Sequence, residues 1–248
     1  METWINELKK VSFKNPILIS GLPGVGYVGK LAVEYLISSL KAEKFAELIS
    51  YHLPYYVLVD EEGMVHLLKC YFYHAKGEDR DFILLTGDSQ AESLEGHYSI
   101  SEEIIKFAKK LGVSEVIVLA GFRAPCREKE RKVFAAYIGK RGEEKVKALG
   151  ITPASATPIV GMAGILVALA QFYGIDGLVL LGETRGYAED FSAAKAVLKI
   201  LEKLLGLKID YSKLDDDIKK AEIARKKFVE DFRERIKEFK ERMPSYIS

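Results

Sequence analysis

Residues 16–40, PILISGLPGVGYVGKLAVEYLISSL, hold a short apolar run, a turn carrying Gly21, Gly24, Gly26 and Gly29, and an amphipathic helical stretch. The order is strand, tight glycine turn, helix, the opening unit of an α/β fold. Gly24, Gly26 and Gly29 fit G-x-G-x-x-G, while Gly24 to Lys30 fits G-x-x-x-x-G-K, so one segment half-satisfies two phosphate-binding patterns of different chemistry. A P-loop needs a hydroxyl after its lysine to hold magnesium, and Leu31 stands there. A dinucleotide fold needs an acid near the end of its second strand, roughly 20 residues on. The second apolar run, 44–51, KFAELISY, ends in Tyr51 with His52 beyond it, and its one late acid, Glu47, lies inside it. Small residues that let the chain turn sharply and let a helix approach the sheet account for the same glycines without a ligand. Gly21, Gly24, Gly26 and Gly29 are therefore read as a structural turn.

The rest of the chain extends this beginning. From 44 to 86 it reads as four strands, KFAELIS, YYVLVD, MVHLLKCYFYH and DFILLTG, with Asp60-Glu61-Glu62-Gly63 and Gly77-Glu78-Asp79-Arg80 as hairpin connections. Helices and strands then alternate. Helix is expected at 99–111, with Ser99 and Glu102 spaced as a capping box, then strands at 115–120 and 132–138 and helices at 143–149 and 162–173. Strand 177–181 and helix 190–205 close the series. Such alternation predicts a mixed, mostly parallel sheet covered by helices on both faces, with an antiparallel portion from the early hairpins.

Segment 213–243 is a different object. It is free of Gly and Pro up to Pro244 and places apolar side chains mostly three or four apart, through Phe228, Phe232, Ile236 and Phe239. One helix of about 30 residues would run ~45 Å, longer than a domain edge requires, and the stripe predicts an interface between copies of the chain. The expected organisation is a domain over 1–207 and a helix with a short tail over 208–248.

Composition limits the functional classes. The chain has 248 residues, 48% hydrophobic, with 37 basic and 36 acidic side chains and a net charge of +1. That balance argues against a nucleic-acid or anionic-membrane surface, both of which rest on clustered positive charge. The longest apolar run, 159–173, falls short of the ~20 residues needed to span a bilayer. The opening METWINELKKVSF interleaves charges and lacks the continuous apolar region of a signal peptide, so a cytoplasmic location is expected. Cys70 and Cys126 form no C-x-x-C and no disulfide framework. Two Asn and two Gln beside abundant Lys and Glu match the bias of hyperthermophile proteins.

Candidate chemistry is thin. Gly87-Asp88-Ser89-Gln90-Ala91 falls one residue short of a G-x-S-x-G elbow, and the only histidine after Ser89 is His97, eight residues on, so a triad in the order Ser, acid, His is excluded. His66, Cys70 and His74 recur every four residues, but on a strand that spacing advances ~13 Å, beyond what one zinc ion can bridge. Arg123, Arg127, Lys129, Arg131 and Lys132 crowd one strand end with Glu128 and Glu130 interleaved, which reads as a solvated loop. Glu183-Thr184-Arg185, at another strand end, is placed either to hold a substrate or to fix a loop through an ion pair. No catalytic residue, metal ligand or cofactor is assigned.

GLPGVGYVGKLAVEYLI, the strand VIVLAGF, the turn and helix TPIVGMAGILVALA, and LLGETRGYAEDFSAAKAVLKIL together resemble the archaeal proteasome assembly chaperone family, over residues 1–205 in order. The resemblance implies a three-layer α/β/α domain similar to nucleoside phosphorylases, a homo-oligomer, and non-catalytic action on proteasome α subunits or a related chaperone. The ATP-grasp relationship sometimes attached to the family finds no set of Glu and Asn here to carry magnesium and nucleotide. A hydrophobic-Tyr-any tail is also implied. This chain ends Met243-Pro244-Ser245-Tyr246-Ile247-Ser248, with the tyrosine third from the end, and Tyr246, Ile247 and Ser248 are the expected partner-binding residues. The runner-up is a nucleotide- or nucleoside-binding enzyme using the strand-end loops at Gly24–Lys30, Thr86–Ser89 and Glu183–Arg185.

Overall fold

The first elements of the chain are β1 (Thr3–Glu7), β2 (Ile17–Ser20), a 3-10 turn (Val25–Tyr27) running directly into α1 (Val28–Ser39), and β3 (Glu43–Ser50). β4 (Val57–Val59), β5 (Val65–Leu67), β6 (Cys70–Ala75), β7 (Phe82–Gly87) and α2 (Leu94–Lys110) follow. β8 (Glu115–Arg123), β9 (Val133–Ile138), α3 (Gly139–Ala148), β10 (Thr152–Pro153), α4 (Met162–Phe172), β11 (Asp176–Thr184) and α5 (Phe191–Leu205) complete the first of two compact units, Met1–Ile209 and Asp210–Ser248. The structure, a computed structural model, describes residues 2–125, 131–155, 157–224 and 227.

Nine strands form one sheet in the order β1-β3-β6-β7-β2-β8-β11-β9-β10. β7, β2, β8 and β11 run parallel at its centre, where Ile17–Ser20 and Phe82–Gly87 are buried at every position. Continuous apolar runs of this kind are what a sheet covered on both faces requires. β6, β1 and β9 run antiparallel to their neighbours β7, β3 and β11. Alternation divides each central strand between two cores. Leu18, Val118, Val179 and Leu181 pack with Ile104, Phe107, Leu166 and Ala170 of α2 and α4. Ile17, Ile19, Ile117 and Leu180 point to the opposite face, where α1 and α5 pair over β7, β8 and β11. At one side of the sheet Phe45, Phe72 and Phe107 interlock, the last two with ring centroids 5.2 Å apart at 74°.

Several elements differ from the sequence reading. β1 carries no clear sequence signature, because TWINE is a half-exposed edge strand with little apolar run to mark it. MVHLLKCYFYH is not one strand: β5 ends at Leu67, and β6 starts at Cys70 in a different sheet. Ser99 and Glu102 are not a capping box. α2 begins more than a turn earlier, where Ser93 Oγ accepts the Gly96 amide at 3.0 Å. Ser99 Oγ instead lies 3.1 Å from Thr3 Oγ1, and Glu102 accepts the Tyr173 hydroxyl at 2.9 Å. The strand after α1 is not a Rossmann second strand, since β6 and β7 separate β3 from β2 and Glu47 is held there by Lys44 and Lys69 at 2.8 and 2.7 Å.

In the second unit residues 212–224 are helical, and Asp210 accepts the Ser212 amide at 3.0 Å at its start. The stripe positions Phe228, Phe232, Ile236 and Phe239 and the tail residues Tyr246, Ile247 and Ser248 lie outside the described residues. Among the described residues no helix is long and apolar enough to cross a membrane.

Candidate functional site

The chain leaves β2 through α1 on one face of the sheet and enters β11 through α4 on the other. Between the carboxyl ends of β2 and β8, where the two directions part, a crevice opens at the position where α/β sheets bind ligands. Its floor is the glycine turn. A Cβ on Gly21 would meet the Gly29 carbonyl oxygen at 2.0 Å, one on Gly29 the Leu119 oxygen at 2.0 Å, and one on Gly121 the Val25 oxygen at 2.0 Å. Gly26 (φ 63°) and Tyr27 (φ 52°) are both left-handed, and a Cβ on Gly26 would stand 2.7 Å from Thr184 Oγ1. Gly24 is extended, and a Cβ there would meet the Gln90 amide at 3.4 Å and the Leu22 carbonyl oxygen at 3.9 Å, both ordinary contacts.

The polar groups around this turn are largely committed to one another. Lys30 Nζ donates to the Gly87 carbonyl at 3.0 Å and pairs with Glu34 at 2.5 Å. Gln90 ties two glycine turns together: its Nε2 donates to the Pro23 carbonyl, and its Oε1 accepts the Met162 amide at the start of α4 at 2.9 Å. The strand end at Glu183-Thr184-Arg185 is fixed by an ion pair other than one of its own. Asp190 pairs with Arg131 at 3.1 Å, accepts from the Thr184 hydroxyl at 2.8 Å and the Ala193 amide at 3.0 Å, and donates its own amide to the Gly26 carbonyl at 2.9 Å. Glu183 accepts the Lys132 amide at 3.2 Å. The carboxylate of Asp190 thus caps α5 and locks β11, the Arg131 segment and the glycine turn together.

The crevice retains a cavity of about 230 Å3, walled mainly by Leu22, Val25, Val118, Phe122, Ile159 and Leu166, with Ser20 and Arg123 among its lining. The convergence of Ser20 and Arg123 was missed from sequence. They lie about a hundred residues apart and line one crevice because β2 pairs with β8 in the register Ser20 to Val118, Arg123 standing five residues further along β8.

The remaining candidates are dispersed. Ser89 Oγ donates to the Gln90 carbonyl at 3.0 Å. His66 lies on the β4–β5 hairpin, 2.7 Å from Asp60, whose carboxyl is held below its usual range by that imidazole and the Met64 amide. Cys70 is buried in the main sheet, and burial, with Asp88 nearby, pushes its thiol up to about 12. His74 Nε2 sits 3.2 Å from an Asp81 oxygen, an ion-pair distance without hydrogen-bond alignment. Among the described residues no group of three His, Cys, Asp or Glu is placed to hold a metal ion. Of the basic loop, Arg127 and Lys129 lie outside the described residues.

A second surface stands apart from the crevice. Nine large apolar side chains between Tyr51 and Leu67 are at least 41% exposed, with Tyr55 at 96%, Val65 at 65% and Val59 at 64%. β4 and β5 pair only with each other, and all their residues are exposed. Successive side chains point to opposite faces of the hairpin, so apolar surface is exposed on both.

A mostly parallel sheet between two helical layers, with glycine turns packed backbone to backbone at its strand ends, defines the class of this domain. Residues 18–229 match the PAC2 family, and the chain belongs to it. It is 38% identical to an uncharacterized protein of Methanocaldococcus jannaschii over 93% of this chain and 86% of that one. Among solved structures it is similar to Pyrococcus furiosus PbaB, an archaeal proteasome activator, at 38% identity and a TM-score of 0.87, covering 92% of this chain and 98% of that one. It is also similar to Pyrococcus furiosus PbaA, an archaeal homolog of proteasome-assembly chaperone, at 27% identity and a TM-score of 0.78, covering 96% of each.

Proposed function

We propose that this protein is a non-catalytic, self-associating factor that binds proteasome α subunits, acting as an assembly chaperone or activator. The similarity to PbaB and PbaA over nearly the whole chain supports the partner class. The observation that carries a binding role is the apolar β4–β5 hairpin, an exposed cluster of large apolar side chains of the kind that marks a protein contact. A surface this apolar needs a partner that is always available, and the constant partner of any chain is another copy of itself. The hairpin therefore serves self-association, and proteasome contact falls to the tail, through Tyr246, Ile247 and Ser248. The protein works in the cytoplasm and needs no cofactor.

The test is capture of purified archaeal proteasome α subunits by the full chain and by a chain lacking Tyr246 to Ser248. Deletion is expected to weaken capture and leave oligomer size unchanged. Undiminished capture would remove the tail from the reading, and failure of the full chain to capture α subunits would remove the proteasome.

A further inference from the structure

We propose that a second copy of this chain covers one particular face of the β4–β5 hairpin, that of Val57, Val59, Val65 and Leu67, with the same face of its own hairpin, and that the two hairpins run antiparallel about a two-fold axis. The proposal rests on the self-association argued above and adds to it which face is buried and in which direction the copies lie.

The register separates two unlike faces. Val57 pairs with Leu67 and Val59 with Val65, and cross-strand partners in an antiparallel pair share a face. These four side chains are 44–65% exposed and bring no donor, acceptor or charge. Leu58 and its partner His66 point the other way, and there the imidazole lies 2.7 Å from the Asp60 carboxylate. The aliphatic face is therefore the one suited to a dry contact, and two such faces stack about 10 Å apart with their side chains interdigitated. A face without polar groups has nothing with which to select an unlike partner, whereas a two-fold axis matches it to itself.

Charge sets the direction. The tip carries Asp60, Glu61 and Glu62, so hairpins stacked in the same direction would bring two acidic tips together against their mutual repulsion. The base carries Tyr55 and Tyr56, 96% and 55% exposed. Their hydroxyls, like the carboxylates of Glu61 and Glu62, have no partner among the described residues. Each hairpin thus offers donors at its base and acceptors at its tip. Leu58 and His66 form the midpoint of the paired segment, with Tyr55 three residues before Leu58 and Glu61 three after it. An axis through that midpoint lays Val57 against Val59 of the second copy and Tyr55 against Glu61 of the second copy, and each contact occurs twice. A phenol donating to a carboxylate makes a charge-assisted hydrogen bond at each end of the apolar contact.

The experiment measures self-association of the full-length protein by sedimentation, and tip-to-tip distance by double electron–electron resonance from a nitroxide on Glu62→Cys. The labelled protein also carries Cys126→Ser, and its other cysteine, Cys70, is buried. Four residues separate Leu58 from Glu62, about 13 Å of strand, so antiparallel tips should lie roughly 25–35 Å apart. Val59→Thr with Val65→Thr should weaken association at least about tenfold, and Leu58→Ser by less than about threefold. Tyr55→Glu, which sets a carboxylate against the tip of the second copy, should weaken it about tenfold. Glu61→Lys alone should weaken association slightly by removing the acceptor of Tyr55, yet in the Tyr55→Glu background it should restore association to within about threefold of the parent. A tip-to-tip distance under about 20 Å would overturn the antiparallel arrangement while hairpin self-association still stood. So would strengthening by Glu61→Lys alone, or failure of that substitution to rescue Tyr55→Glu. A larger loss from Leu58→Ser than from the valine pair would overturn the choice of face. Association indifferent to every one of these substitutions, or a full chain that is already monomeric, would remove the hairpin from self-association and the pairing with it.

Discussion

Gly29 in α1 and Leu119 in β8 approach so closely that a Cβ on the glycine would stand 2.0 Å from the leucine carbonyl oxygen. The obstacle is main chain, which cannot rotate aside, and Gly21 lies against Gly29 in the same way. Gly29→Ala is expected to cost at least about 3 kcal/mol, as overpacking against fixed backbone does, with a matching fall in melting temperature. Gly24→Ala should cost under about 1 kcal/mol, because Gly24 is extended and a Cβ there would meet nothing closer than the flexible Gln90 amide at 3.4 Å. A phosphate-binding loop would reverse the order in function, with Gly24 intolerant and Lys30→Ala disabling. Here Lys30→Ala should cost about 1 kcal/mol, the loss of a part-exposed hydrogen bond and ion pair, and leave partner capture intact. Thermal denaturation of the three variants separates the two accounts.

Asp190 carries the next prediction. Its side chain and that of Arg131 are 10% and 11% exposed, so removing one partner strands the other charge in a poorly hydrated site. Asp190→Ala also removes the cap on Ala193 and the acceptor of the Thr184 hydroxyl. A loss of about 3–5 kcal/mol is expected in denaturant unfolding. Arg131→Met, which keeps the packing volume but leaves Asp190 its Thr184 and Ala193 bonds, should cost less. Equal losses would show that the ion pair rather than the cap and hydroxyl network holds the loop.

The division between what the sequence shows and what it hides follows the range of the interactions. Strand β2, the glycine turn and α1 are legible because periodicity and glycine spacing are local properties of 25 consecutive residues. The mixed, mostly parallel sheet follows from the alternation of elements, and the hairpin turns at Asp60–Gly63 and Gly77–Arg80 from their composition. The break between Leu67 and Cys70 is hidden, because β5 and β6 are equally β-prone and differ only in partner. The start of α2 is misplaced because Ser93 and Ser99 are both good caps, and packing of Gly96 against His52, with a Cβ there only 2.5 Å from the His52 Cβ, favours the earlier one. The crevice is less legible still. Ser20, Arg123 and Ile159 line one crevice only through strand order, and Asp190 reaches Arg131 across a gap of 59 residues.

Glu47 links sheet register to acid stability. Burial raises its pKa, but hydrogen bonds and charge from Lys44 and Lys69 outweigh burial and hold it below the usual 4.5. A carboxyl whose folded pKa is depressed contributes stability that is present above the unfolded value and is lost as pH falls through the folded one. The contribution of Glu47 should therefore be intact at neutral pH and disappear below about 4.5. Glu47→Gln should lower the melting temperature at pH 7 and by progressively less as pH falls below 4.5, so the two proteins converge in acid. A constant difference between them across that range would mean that the ion pairs with Lys44 and Lys69 contribute nothing.

The last prediction concerns which surface joins copies of the chain. Two stretches compete: the apolar stripe at Phe228, Phe232, Ile236 and Phe239, and the β4–β5 hairpin. The hairpin has the stronger physical claim within the described residues, because a two-stranded sheet exposed on both faces is marginally stable alone and gains order when covered. Its acidic tip, Asp60-Glu61-Glu62, keeps the end of the hairpin hydrated and leaves the apolar flanks as the surface to be buried. The triple substitution Tyr55→Ser, Val59→Thr and Val65→Thr removes apolar area without touching the main sheet, so it should shift light scattering toward smaller species while far-ultraviolet circular dichroism stays constant. Truncation after Leu207 tests the stripe in the same assay. If only the truncation dissociates the protein, the helical segment holds the copies together and the hairpin must be a surface for another partner; if the intact chain is already monomeric at micromolar concentration, neither stretch is an interface between copies.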